Sequence, residues 1–311
     1  MTDTTRPLVT FALFAYNQEK YIREAVEGAF SQTYEPLEII LSDDCSSDRT
    51  FEIMQEMAAA YDGPHEVRVR QNHTNFGLIG HVNALLEIVS GDTIVLAAGD
   101  DISEAARVAK IAAVFDENPS AMLVHSMVQT LDASGKKMGL KAPPNLDAHI
   151  MDIATSASIY IGATGAIKRD LYRIYGPISE ARTYEDLIFG FRAALMGGIF
   201  YLENPLVQYR SDIGLASQFR RTNGSRKERR IASICHRLAT LRQRRVDLNS
   251  QRHLNYQKIS KAIKNEEKKA VARFQFYVEP LAFLRGTLST SAYAYLKALS
   301  SETKYALHLI G

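Results

Sequence analysis

Tryptophan is missing altogether from this chain of 311 residues, and cysteine occurs only twice, at Cys45 and Cys235. Two thiols without metal-ligand or redox spacing exclude a disulfide framework and predict two free cysteines in a reducing compartment. No apolar run approaches the roughly 20 residues that cross a bilayer, and the opening MTDTTRPL has no signal-peptide core. The expected compartment is therefore the cytoplasm. No internal repeat is visible, and 46% hydrophobic with 23% charged residues excludes disordered and fibrous classes. None of the eight histidines stands in a metal-ligand pattern, and His73 and His81 read as solvated loop residues.

What is present is unevenly spread. Residues 225–311 carry 18 Lys/Arg against 6 Asp/Glu, while the rest of the chain carries 19 against 29. The contrast marks a boundary near Asn223-Gly224-Ser225 and a basic stretch that must meet something anionic or fold back on the acidic body.

Leu8 to Ala15 (LVTFALFA) reads as a buried strand, and Ile22, Ala25, Val26, Ala29 and Phe30 fall on one helical face. Leu37–Leu41 and Val67–Arg70 read as strands, with a helix through Phe51, Met54 and Ala58 between them. A helix is expected over His81–Ser90, closed by Gly91. A strand over Thr93–Ala98 then precedes a helix through Val108, Ile111 and Phe115. Strands alternating with helices predict an α/β fold with a mostly parallel sheet covered on both faces. After Met122–Ser126 the alternation decays into a turn at Asp132–Gly135 and a loop over 141–147. A helix near Thr183 follows, then short strands at Ile199–Tyr201 and Leu206–Tyr209. From Ser225 a narrow stripe of Ile231, Ile234, Leu238, Leu241 and Leu248 predicts helices, and a second apolar cluster runs from Phe274 to Leu284.

Ligands of open parallel sheets bind beyond the carboxyl ends of the strands. That edge would carry Tyr16-Asn17, Asp43-Asp44 and Asp100-Asp101. Two carboxylates about 4 Å apart repel by about 1 kcal/mol in water and about 4 kcal/mol at an effective dielectric near 20. A divalent cation offsets this well, and oxygen ligands suit Mg²⁺ or Mn²⁺ with a diphosphate completing the shell. Asp101 would ligate directly and Asp100 face the nucleotide or a water. The competing reading makes Asp100-Asp101 a simple turn with Ser103 capping the next helix. Asp48 reads as a cap for the helix after the second strand. For Thr183-x-x-Asp186, a variant capping box stands beside a catalytic role.

The stretch LVTFALFAYNQEKYIREAVEGAFSQTYEPLEIILSDDCSSDRT resembles the opening of family 2 glycosyltransferases, and the match continues through Asn75-Phe-Gly77, Asn83-Ala84 and Gly91-Asp92 to Gly99-Asp100-Asp101. It covers roughly residues 7–210. The resemblance implies a GT-A fold over 1–224, with a nucleotide-binding half to about residue 120 and an acceptor half beyond it, followed by a basic helical region over 225–311. It also implies transfer with inversion. By matching position, Ala15, Tyr16, Glu19 and Asn75 lie on the donor nucleotide side, Asp44 meets the base, Asp100 and Asp101 form the metal and diphosphate motif, and Asp186 is the general base. Three departures stand out. Ala98 replaces the first Asp of the usual Asp-x-Asp-Asp, Ser211-Asp212 follows Tyr209-Arg210 where relatives often carry His, and the Gln-x-x-Arg-Trp pattern of processive synthases is excluded by the lack of Trp.

The expected activity is metal-dependent transfer of one sugar from a nucleotide-diphosphate sugar, a UDP-sugar favoured, to a glycan or lipid-linked acceptor in surface polysaccharide synthesis. The basic stretch admits an anionic membrane surface at the inner face, a lipid-linked acceptor, or a second copy of the chain. Nucleic acid fits poorly, since few aromatics interleave the basic runs. The alternative is a catalytically silent scaffold of the same fold acting through its basic tail.

Overall fold

The computed structural model describes residues 6–132, 134–143, 149–211, 213, 225–251, 253–279, 283 and 292–307. Asp212, Asn223, Gly224, Leu281, Leu284 and part of the 141–147 loop lie outside the described residues.

Four strands come first: β1 (Val9–Ala15), β2 (Leu37–Asp43), β3 (Glu66–Gln71) and β4 (Thr93–Ala98). They pair in parallel, β2 with β3 and β1 with both β2 and β4. The connecting helices are α1 (Ile22–Phe30), α2 (Thr50–Ala59) and α3 (Gly77–Leu86). Then come β5 (Ile102–Ser103), α4 (Arg107–Glu117), β6 (Leu123–Leu131) and β7 (Lys137–Lys141). Next are α5 (Ile150–Thr155), a 3₁₀ turn over Gly162–Thr164, β8 (Ala166–Lys168) and α6 (Asp170–Tyr175). The body closes with α7 (Glu185–Met196) and β9 (Ile199–Arg210), a single strand spanning both of the late strands expected.

The sheet runs β3-β2-β1-β4-β8-β6-β9-β5, with β7 beside β6. The α/β class holds, and the sheet is parallel through its first four strands and mixed beyond them. Short β8 lies antiparallel between β4 and β6, while β6 and β9 are parallel to each other.

Strand period sorts the core into two layers. Phe11, Leu13, Ile39, Leu41 and Val95 pack with α1, α2 and α4, whereas Ala12, Ile40, Ile94 and Leu96 pack toward α3, α5 and α7. All of these strand residues are buried, and each large aliphatic or aromatic one contributes about 1.5–3 kcal/mol. Helix α3 starts and ends four residues earlier than the periodicity predicts, so Gly91 is not its C-terminal glycine. Gly91 instead lies against β1, where a Cβ would stand 2.6 Å from Thr10 N, and its own N–H donates to Thr10 Oγ1.

The basic stretch forms α8 (Arg226–Ser250), α9 (Tyr256–Val278) and α10 (Ala292–Leu307). A capping box opens α8: Glu228 N donates to Ser225 Oγ and Ser225 N to Glu228 Oε2. Leu241, Leu248, Ile259 and Ile263 from these helices join the same buried layer as Leu187, Ile188 and Phe191 of α7. Polar groups are buried in that contact too. Arg192 of α7 makes a two-pronged pair with Asp247 at 2.9 and 3.0 Å, both side chains sealed from solvent. Among the described residues no helix is long and apolar enough to cross a membrane.

Candidate active site

Parallel register aligns the carboxyl ends of β1, β2 and β4. Ala15 stands opposite Asp43 and Phe14 opposite Ala98. Just past the strands, Asp44 N donates to Ala15 O at 2.9 Å and Gly99 N to Phe14 O at 2.8 Å. The three polar clusters therefore share one edge. Gly99 is required there, since a Cβ would meet Gln18 Oε1 at 2.5 Å and the Ala15 Cβ at 3.0 Å.

The two loops at this edge brace each other. Asn17, at φ 50°, donates its N–H to Ser46 Oγ, and its side-chain oxygen accepts from Ser47 N. Asp48 accepts from Thr50 N and from Glu19 N, but Arg49 rather than Asp48 holds the N-cap position of α2, so the expected cap becomes a turn just before the helix. Glu19 in turn accepts from Arg49 N. Tyr16 is exposed, and Asn75 Oδ1 accepts from Gly77 N, which holds the turn before α3.

Asp44 is buried and takes two hydrogen bonds on one oxygen, from Asn72 Nδ2 at 2.6 Å and Phe76 N at 2.9 Å. Behind it Arg70 bonds both Asn72 and Ser42, and Ser42 Oγ also lies 2.6 Å from His81 Nε2. Burial lowers the His81 pKa to about 4, so the ring in this network is neutral. His81 is thus a buried structural histidine rather than the solvated one predicted, while His73 is exposed as expected.

Asp100 and Asp101 end β4 and are both buried. Burial raises the Asp100 pKa above the usual carboxylate range, opposed by Arg210 and Gln18. Burial first and the Asp100 charge second push Asp101 well above that range, opposed by Arg210 and Arg107. Ser103 caps nothing, since it lies in β5 and accepts from Arg107 Nη1. Sequence reasoning missed both arginines. Arg210 donates its backbone N–H to Asp101 Oδ1 at 2.8 Å, its guanidinium to the Asp100 carbonyl and to Glu24, and stacks over Tyr21. Arg107 is fully buried and donates to the carbonyls of Leu96 and Ala163, both at 2.8 Å. The Ser103/Arg107 spacing of four was the one visible sign of it.

That bond to Ala163 leads to Asp186. Ala163 sits in the 3₁₀ turn, and a Cβ on its neighbour Gly162 would run into the Glu185 carboxylate and come within 3.7 Å of the Asp186 Cβ. One short turn is therefore tied to Leu96 of β4 through Arg107 and lies against the start of α7 through Gly162. The capping box considered for Thr183-x-x-Asp186 does not form: Thr183 Oγ1 pairs with Thr240 Oγ1 of α8 at 2.8 Å, and Asp186 Oδ1 accepts from Leu187 N at 2.7 Å. Burial first and the Glu185 charge second raise the Asp186 pKa to about 8, with Arg244 of α8 opposing. Arg244 is held close by bonds to the carbonyls of Leu187, Ala154 and Ser156.

Residues 10–176, just over half of the chain, match the sequence profile described as Glycosyl transferase family 2. The chain belongs to that family. EpsE of Bacillus subtilis (strain 168) is 29% identical over 210 residues, covering 66% of this chain and 74% of EpsE. Other relatives align over about 125 residues, little more than a third of their own length. The crystal structure of S. aureus TarS 1–349, also solved with UDP-GlcNAc, matches with a TM-score of 0.61 over 95% of this chain and 91% of that one at 17% identity. The mannosyltransferase PcManGT from Pyrobaculum calidifontis, solved with GDP-Man and Mn²⁺, matches at a TM-score of 0.61 and 16% identity over 98% of this chain and 81% of that one. The family 2 chain is thus a glycosyltransferase with the GT-A architecture.

A divalent cation is the group this family implies. Among the described residues no three His, Cys, Asp or Glu side chains gather closely enough to hold one. The Asp100-Asp101 pair still fits an Mg²⁺-type site, which uses one or two carboxylates and takes its remaining oxygens from a phosphate ligand and water. Two neighbouring carboxylates with raised pKa values are the electrostatic problem that a cation relieves.

Proposed function

We propose that this chain transfers a single sugar, with inversion, from a nucleotide-diphosphate sugar to a glycan or lipid-linked acceptor. A UDP-sugar is the favoured donor, surface polysaccharide the favoured product class, and the cytoplasmic side of the membrane the favoured place. Ala15, Tyr16, Glu19, Asp44 and Asn75 would border the nucleotide, with Asp44 meeting the base and Asp100 the diphosphate. Residues 1–224 would supply this site and 225–311 the helical support around its acceptor side.

One observation carries the reading: the Gly162–Thr164 turn is tied to Leu96 of β4 by Arg107, whose charge acts on Asp101, and lies against the Glu185-Asp186 start of α7 through Gly162. Asp186 is the base. Its carboxylate takes the proton of the acceptor hydroxyl as the new O–C1 bond forms and the C1–O bond to the diphosphate breaks, the electron pair leaving with the nucleoside diphosphate. Attack from the side opposite the leaving group inverts the anomeric carbon. Mg²⁺ or Mn²⁺ held by Asp101, with Asp100 beside it, would supply Lewis-acid stabilisation of charge on the departing diphosphate. Leu187 N–H orients the Asp186 carboxylate, and Arg244 opposes the rise in its pKa.

The test is thermal stabilisation by UDP, GDP, dTDP and CMP with and without Mn²⁺. Metal-dependent stabilisation by one diphosphate is expected, and indifference to all four favours the scaffold reading. Asp186→Asn should keep donor binding and lower kcat by about 10²- to 10⁴-fold, whereas an unchanged rate removes it as the base.

A further inference from the structure

A cavity of about 400 Å³ lies between the start of α7 and helices α8 and α9, lined by Tyr184, Arg230, His236, Arg237, Glu266 and Arg273 among others. That volume falls within the range of ligand sites. Its charge is not balanced internally. Arg230 pairs with Glu302 through two bonds, and Lys269 holds Glu266 at 2.6 Å. Two cations remain. Arg237 donates to the carbonyls of Thr155 and Ser156, and its nearest carboxylate, Glu266, is 3.8 Å away. The buried Nε of Arg273 has no hydrogen-bond partner, with Glu302 Oε1 at 3.6 Å. Cations that outnumber the carboxylates they share are poised for a phosphate-type anion, which offers several acceptor oxygens.

Position says which anion. Donor phosphates belong at the ends of β1, β2 and β4. Tyr184 and Leu187 line this cavity and flank Glu185 and Asp186 in the chain. The cavity therefore adjoins the segment that carries Asp186. We infer that the cavity binds the phosphate or diphosphate through which a glycan acceptor is joined to its carrier. This rests on the transfer reading for the identity of the ligand, though not for the anion site itself.

Inorganic pyrophosphate titrated calorimetrically in the presence of a chelator, with the full chain, tests the site. Wild type and Asp101→Asn should bind it alike, because without a cation the donor edge is acidic. Arg273→Gln should bind at least tenfold more weakly. Ser233→Asp should do the same, since Ser233 is exposed on α8 and lines the cavity, so this variant adds a negative charge with no loss of packing. Absence of binding by wild type, wild-type affinity in both cavity variants, or loss of binding in Asp101→Asn overturns the proposal. Should nucleotides fail to bind with Mn²⁺ while pyrophosphate still requires Arg273, the transfer reading falls and the anion site stands. The opposite pattern removes the cavity alone.

Discussion

The donor edge and the α7 side of this molecule are built in different ways. At the edge, carboxylates follow their strands by one to three residues, and parallel register brings Asp44 and Asp101 to the same rim. On the α7 side the groups around Asp186 and its turn include several from far along the chain: Arg107 through Ala163, Thr240 through Thr183, and Arg244 through Leu187. One half of the site is thus local in origin and the other is held by the C-terminal helices. Errors in the first should stay local, and errors in the second should spread.

The largest expected effect follows from removing residues 225–311. The buried layer shared by Leu187, Ile188, Leu241, Leu248, Ile259 and Ile263 would be opened and Arg192 left as a buried unpaired charge. The truncated chain should lose its cooperative thermal transition. A truncated chain that melts cooperatively near the wild-type Tm would erase the contrast between the two halves.

Asp247→Ala is the point version of that experiment. Breaking a buried pair by removing one partner costs about 3–5 kcal/mol, and urea denaturation should show a loss of this size. Asn72→Ala at the donor edge is the matched local lesion. It removes one of two bonds to Asp44, at about 1–3 kcal/mol for a buried partner left without it. Donor KM should rise more than kcat falls, and the reverse pattern would mean that the two halves are not separable.

The pH profile gives a finer comparison. A base must be ionised to act, so kcat/KM should rise with pH through about 8, far above an ordinary aspartate. Glu185 raises the Asp186 pKa by like-charge repulsion. Glu185→Gln should therefore move the limb to lower pH, and a limb that stays in place would detach Glu185 from the base. Smallest of all, Thr183→Val removes the hydroxyl contact with Thr240 and should destabilise by about 1 kcal/mol.

Much of the β1–β4 half was legible in the sequence. Strands β1, β2 and β4 announced themselves as apolar runs and α1 and α4 as periodic faces, because each depends on neighbours within one turn or one strand. Gly91 was misread because helix C-termini favour glycine, whereas here the backbone of β1 passes too close for any Cβ. Thr183 looked like half of a capping box, and its actual partner, Thr240, lies 57 residues away. The basicity of residues 225–311 looked like an outer surface. Arg244 is instead fully buried and Arg237 largely so, both aimed at the carbonyls that end α5.

By itself the sequence determined the elements and the order in which the acidic clusters leave the strands, since hydrophobic period and local capping are properties of short stretches of chain. Tertiary structure decided how far Asp186 and the Asp100-Asp101 pair depart from ordinary carboxylates. The like charges of Glu185 and Asp100 are written in the chain, but desolvation, the largest cause, and the opposing Arg244, Arg210 and Arg107 come from distant segments.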